Sequence, residues 1–462
     1  MILPAHHRQR RLDLASRIQD PILLVGNGLR ERNAANEIPF RQDSTFLWLT
    51  GCAQPDAAAL LAGDRCTLFL PAPSPDDALW EGRVEPLDAV RERLGVDRVL
   101  PLSELDAACA SARPKHSLAV ADVQATTLAA RLTGLDLAWR RQPGPAALVH
   151  AVGQLRNRKA PEEIAELEAA AAATEATFRA CMSATAPGQT EASMAALFEG
   201  ILSMQGCDTS FPTISTVRGE VLHNRHRVNT LEVGQLLLMD GGAEVASGYA
   251  ADVTRTWPVS GRFEPRQRAA YQAVLEAEQA AIACCQPGRR YREAHFAAAR
   301  VIARFLADEG LVTCSPDAAV EAGAHALFFP HGVGHLLGLD VHDLEDLGDA
   351  IAYAPGRERS AAFGTRFLRL DLDLEPGFYV TIEPGFYIVQ PILEHPDLRE
   401  RFAGMVDFDR AAGWYGFGGI RIEDDVLITP EGHRVLTAGI PKTVVELEAI
   451  VGSGRPASER LG

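Results

Sequence analysis

The segment HGVGHLLGLDVHD, His331 to Asp343, holds three histidines, two aspartates and three glycines in thirteen residues. His331 and His335 stand four apart, the spacing of a zinc-protease helix. However, Gly332 and Gly334 disfavour helix and no glutamate lies between the histidines. The other residues able to do chemistry are acids set against apolar, strand-like runs. Asp240 ends LLLM, Asp252 precedes VTRTWPV, Glu383 sits in YVTIEPGFYI and Glu423 follows GIRI. A carboxylate in such company is strongly disfavoured unless it meets a cation or a dense hydrogen-bond network. Side chains alternate along a strand, so Glu383 shares a face with Thr381 and Tyr379. Likewise Glu423 goes with Arg421 and Gly419, and Asp252 with Thr254 and Thr256. One such acid is explained by a turn cap or an arginine partner; four beside a His/Gly-rich segment are not. Carboxylates with few nitrogen donors and no clustered thiols describe a hard-cation site for Mn, Mg or Co rather than structural zinc. Two divalent ions would balance the four acids.

The elements that must position these residues fall into two parts. Strand-like runs at 21–28, 45–51, 57–63 and 65–71, with helical segments between the later ones, predict an α/β domain over 1–155 with a mixed sheet flanked by helices. Pro161 followed by Glu162 and Glu163 marks a helix start. Helices are predicted from 161 to about 182 and at 190–204, 265–285 and 292–309. With the strand-like pieces QLLLMDGG, YAADVTRTWPV, FYVTIEPGFYI and GIRIEDDVLIT they predict an α+β domain over 156–450. Residues 451–462 are rich in Gly, Ser, Pro and charge and are expected to form a flexible tail.

The chain has 462 residues and a net charge of -16, which argues against nucleic acid and anionic membranes as partners. No run approaches the ~20 apolar residues of a membrane span. The start of the chain lacks the apolar stretch of a secretory signal. Eight cysteines without a CxxC or framework spacing read as reduced thiols of a cytoplasmic protein. No GxSxG, GxGxxG or P-loop pattern offers nucleophilic or phosphate-binding chemistry instead.

DGGAEVASGYAADVTRTWPVSG (240–261), HGVGHLLGLDVHD (331–343), TIEPGFYI (381–388) and GIRIEDDVLIT (419–429) resemble the metal-dependent Xaa-Pro peptidases, aminopeptidase P and prolidase. These belong to the pita-bread (creatinase/methionine aminopeptidase-like) superfamily. IPFRQDSTFLWLTG (38–51) resembles the N-terminal domain of the same group. The resemblance implies a C-terminal pita-bread domain with five metal ligands. Asp240 would hold one metal and His335 and Glu383 the other, with Asp252 and Glu423 bridging both. It implies His223 and His342 as substrate-side imidazoles, Arg421 as a support behind the last ligand, and His331 as a pocket residue. It implies two divalent ions, Mn2+ foremost with Co2+ or Zn2+ as alternatives, and a homo-oligomer, dimer or tetramer.

The chemistry would be attack on the Xaa-Pro bond by metal-activated hydroxide, with an imidazole such as His342 or His223 donating to the oxyanion and Glu383 carrying the proton to the proline nitrogen. The expected substrate is a peptide with proline second, cleaved by an aminopeptidase. A prolidase limited to Xaa-Pro dipeptides is the alternative, and a non-catalytic peptide-binding protein of the same fold is a further one. One departure stands out: Asp240 and Asp252 are twelve apart where many relatives have eleven. An extra residue inside a strand would turn one acid to the wrong face, so a hairpin loop among Gly241, Gly242 and Gly248 is expected to absorb it.

Overall fold

Short apolar runs become β1 (Ile22–Val25), β2 (Ala58–Ala62), β3 (Arg65–Leu70) and β4 (Arg98–Pro101). They form one sheet in the order β1-β2-β3-β4, antiparallel except for the parallel β3/β4 pair. The computed structural model describes residues 2–34, 36–72, 79, 82, 85–457 and 459. Two units are found, one of residues 1–157 with 344–351 and one of 158–343 with 352–462. In the first unit Leu23, Val25, Leu60 and Phe69 pack with Leu105, Cys109 and Ala129 from flanking segments.

The run at 45–51, expected as a strand, is the helix Ser44–Thr50. Its β-branched and aromatic residues suit a strand, but its ends decide. The Asp43 side chain accepts from the Phe46 N–H at 2.8 Å, and Gly51 closes the helix at φ 69°.

In the second unit the helices run Pro161–Ala184, Glu191–Met204, Pro265–Ala283 and Tyr291–Asp308. Pro161 occupies the first turn, and Glu163 accepts from the Ala160 N–H at 2.8 Å. The strands are β5 (Ile214–Thr216), β6 (Leu236–Gly241), β7 (Val253–Pro258), β8 (Tyr379–Ile382), β9 (Gly385–Tyr387), β10 (Gly419–Arg421), β11 (Asp424–Thr429) and β12 (Gly432–Val435). They pair as β7-β6-β5, β8-β11-β12 and β9-β10, all antiparallel.

Two runs expected to be continuous strands are each broken, and the breaks fall at Glu383 and Glu423. Pro384 has no N–H to give a ladder, so the chain leaves its pairing with β11 there and takes up β10. The Glu423 N–H bonds to Thr254 O at 3.0 Å, tying the second break to β7. Of the expected tail, Gly452 and Gly454 donate to Met182 O and Ser183 O, and Ala457 is fully buried. Residues 458 and 460–462 lie outside the described residues. No helix among the described residues is long and apolar enough to cross a membrane.

Candidate metal centre

The β6/β7 ladder puts Asp240 opposite Thr254 and Gly241 opposite Val253. Asp252 lies two residues from Thr254 on the same face, so both aspartates point to one side. The twelfth residue is taken up beyond this register. Val245 N–H bonds to Tyr249 O, Gly248 turns at φ 88°, and Ala251 N–H returns to Ala243 O. Gly242 permits the return, because a Cβ there would stand 1.8 Å from Ala251 O.

The HGVGH segment lies against β8. Gly334 holds φ 152°, and a Cβ there would meet Thr381 O at 2.2 Å and the Tyr291 hydroxyl at 2.4 Å. The next residue, His335, exchanges bonds with Thr381: its N–H donates to Thr381 Oγ1 at 3.1 Å, and its carbonyl accepts from the Thr381 N–H at 3.0 Å. Its Nδ1 donates to Leu336 O at 2.9 Å. That bond leaves Nε2 as the lone-pair nitrogen, 3.4 Å from Asp252 Oδ2 and 3.8 Å from Glu383 Oε1. Asp252, His335 and Glu423 offer ligand atoms within 4.8 Å of one another, all from buried residues.

Arg421 ties the acids together. Its Nη2 donates to Asp240 Oδ2 at 2.6 Å, its Nε to Thr254 Oγ1 at 2.8 Å and its Nη1 to the Tyr387 hydroxyl at 3.2 Å. Thr254 passes a bond on to Glu423 Oε2 at 2.7 Å. The Tyr387 hydroxyl, occupied as an acceptor by Arg421, donates to His331 Nε2 at 2.9 Å, while His331 Nδ1 donates to Gly332 O. Burial, reinforced by the Arg421 charge, pushes the His331 imidazole down to about 3, so it is neutral at ordinary pH.

Electrostatics ask for cations here. Burial first, then the neighbouring charge of Asp252, raises Asp240 to about 6 against the pull of Arg421. Burial raises Glu383 to about 7 even beside His335. Burial and the charges of Asp252, Glu383 and Asp240 push Glu423 well above the usual carboxylate range. Burial works to lower His335, but the Asp252 and Glu383 carboxylates facing its Nε2 win and raise it, so that without a cation a proton competes for that lone pair. Asp240 Oδ1 and Asp252 Oδ1 are buried without a hydrogen-bond partner in the protein. Unpartnered carboxylate oxygens beside an imidazole lone pair are the donor set that a divalent cation fits.

Of the other predicted residues, His342 is exposed and meets the His335 ring edge-on at 4.6 Å. His223 is also exposed; partial burial and the charge of Arg421 lower its pKa, with the Asp252 charge acting the other way.

Residues 165–430 match the model of metallopeptidase family M24, and residues 7–120 match the aminopeptidase P N-terminal domain. The chain belongs to metallopeptidase family M24. It is 31% identical over 421 residues to the human Xaa-Pro dipeptidase, covering 89% of this chain and 84% of that one. It is 30% identical over 441 residues to the rat Xaa-Pro aminopeptidase 3, covering 90% and 78%. Among solved structures, the Pseudomonas aeruginosa aminopeptidase PepP matches with TM-score 0.79 and 29% identity over 99% of each chain. The zinc-substituted E. coli aminopeptidase P in complex with product matches with TM-score 0.80 and 29% identity over 98% and 99%. The chain thus has the aminopeptidase P N-terminal domain followed by the pita-bread domain, and it is a metal-dependent hydrolase.

Three neighbours of this M24 centre escaped the sequence reading. Tyr387 was legible: period 2 from Glu383 runs through Gly385, where a Cβ would stand 2.3 Å from the Tyr387 hydroxyl. Asp425, whose Oδ2 accepts from the Asp252 N–H at 3.1 Å, follows the acid pair of RIEDD and carried no separate signal. Arg369, whose charge acts on His223, His335 and Glu383, stands in a segment without any motif.

Proposed function

We propose that this M24 hydrolase is a dinuclear aminopeptidase that releases the N-terminal residue from peptides with proline second. The observation that carries this reading is the buried set of Asp252, His335 and Glu423, with Glu383 beside it and an unpartnered oxygen on both Asp240 and Asp252. Asp240, Asp252, His335, Glu383 and Glu423 would hold two ions, and we assign Mn2+ because four donors are hard carboxylates. When bound, the ions supply Lewis-acid polarisation of the scissile carbonyl and a hydroxide at neutral pH.

The remaining work falls to the chain. Glu383 takes the proton of the attacking water and returns it to the proline nitrogen, a secondary amine that needs it to leave. His342 and His223, on the exposed side, donate to the carbonyl oxygen as charge develops on it. Arg421 fixes Asp240 and, through Thr254, Glu423. His331 lines the pocket as a neutral imidazole held by Tyr387. We place the enzyme in the cytoplasm as a dimer or tetramer; its eight free cysteines are in keeping with a reducing compartment.

A Xaa-Pro-Xaa tripeptide and Gly-Pro assayed side by side with Mn2+ test the reading. Cleavage of the first bond of the tripeptide, with two metals per chain, is expected. Turnover of the dipeptide alone, or fewer than one metal per chain, overturns it. The dipeptidase alternative has support in Arg369, a cation acting on Glu383 and His335. Such a guanidinium would suit the free carboxylate of a Xaa-Pro dipeptide. On that reading Gly-Pro is turned over, the tripeptide is not, and Arg369→Ala abolishes the dipeptide turnover; on ours the tripeptide is cleaved and Arg369→Ala changes that little.

A further inference from the structure

Lys159 and Asp343 form an ion pair with no part in holding metal. Lys159 Nζ donates to Asp343 Oδ2 at 3.0 Å, and both side chains are 2% exposed. Asp343 follows His342 directly, and its N–H donates to Leu336 O at 3.1 Å. That bond closes residues 336–343 into a loop that starts one residue after His335. Gly338, within the loop, rests on the ion pair: a Cβ there would meet Asp343 Oδ2 at 2.5 Å and Lys159 Cε at 2.9 Å. The Gly338 carbonyl accepts from the Ala250 N–H at 2.9 Å, joining the loop to the hairpin that ends at Asp252. Lys159 N–H donates to Gly377 O at 2.8 Å, just before β8.

Two desolvated charges are weak contributors to stability, since a well-packed apolar pair often does as well. What they supply is direction, because ammonium and carboxylate must meet in one geometry. The side chain next to Asp343 on the substrate side is His342, which is exposed and meets the His335 ring edge-on.

We infer that Lys159 is a positioning residue that, through Asp343, holds the His342 imidazole at the substrate side of the metal centre. This rests on the reading of His342 as a substrate-facing donor.

The test is a double-mutant cycle in the full-length, Mn2+-loaded enzyme. It compares kcat and KM on a Xaa-Pro-Xaa tripeptide for the unchanged chain, Lys159→Met, His342→Ala and both together. Lys159→Met is expected to lower kcat about 10–100-fold with the metal count unchanged. In the His342→Ala background the further loss is expected to shrink below about 2-fold, because the two residues act through one group. An equal loss in both backgrounds, or metal lost from Lys159→Met, overturns the inference while leaving His342 its role. A fully active His342→Ala overturns that role and the inference with it. Lys159→Met leaves a lone buried carboxylate; where that variant fails to fold, Lys159→Met with Asp343→Asn carries the same cycle.

Discussion

His335 illustrates how a backbone bond selects chemistry. Its Nδ1 is committed to Leu336 O, so the nitrogen facing Asp252 and Glu383 is the one with the lone pair. Arg421 does comparable work for the acids, and Tyr387 joins it to His331. Tyr387→Phe removes one hydroxyl and strands a buried guanidinium N–H and an imidazole nitrogen. Each such orphan costs about 1–3 kcal/mol, so kcat is expected to fall by about tenfold or more with metal per chain unchanged, read by steady-state kinetics and metal analysis. Asp240→Asn acts differently. It takes away a charge the cations need, so both turnover and metal retention are expected to be lost. A fully active Asp240→Asn would remove Asp240 from the site.

The hairpin between β6 and β7 is the element on which the two aspartates depend. With Thr254 paired to Asp240, the extra residue in the loop leaves both on one face. Gly242→Ala would drive a methyl into Ala251 O. The hairpin must open, and we expect a loss of about 1–3 kcal/mol, the usual scale of overpacking, together with weaker metal binding. Calorimetry and metal titration would show both; a variant that keeps its metal affinity would mean that the register survives without this close approach.

The same scale shows what local sequence carries. The helices were readable because their starts are chemical, as at Pro161 and Glu163, and the acids because carboxylates in apolar runs need an explanation. The segment 44–50 reads as a strand by composition, yet the Asp43 cap and the Gly51 stop make it a helix. The breaks at Glu383 and Glu423 depend on which strand is the partner, and pairings across the chain leave no local trace. Nor does the Lys159–Asp343 pair, joined across 184 positions.

In the second unit two clusters of buried charge are built in unlike ways. One cluster carries its own cations: Arg255 and Lys442 both bond Asp424, and Lys442 also bonds Glu278. Two cations there match two acids, and Asp424 is held low because Arg255 and Lys442 overcome its burial, while burial and the Asp424 charge push Glu278 up to about 8. The other cluster sets Asp240, Asp252, Glu383 and Glu423 around the guanidinium of Arg421, with Arg369 acting on Glu383, and burial still lifts Asp240 to about 6 and Glu383 to about 7. Both values lie above the ordinary 3.8 and 4.5, so in metal-free protein these groups favour the fold most when protonated. Their contribution is fully present below about pH 4 and is lost as pH rises through 6 and 7. Metal works in the opposite direction, since it binds the ionised acids of the native state and adds about 2.7 kcal/mol at a concentration of 100 Kd. The gap in Tm between Mn2+-loaded and chelated enzyme is therefore expected to widen steadily from pH 5 to pH 8. Measured by calorimetry at matched ionic strength, a gap constant across that range would show that these carboxylates do not need the metal for their charge.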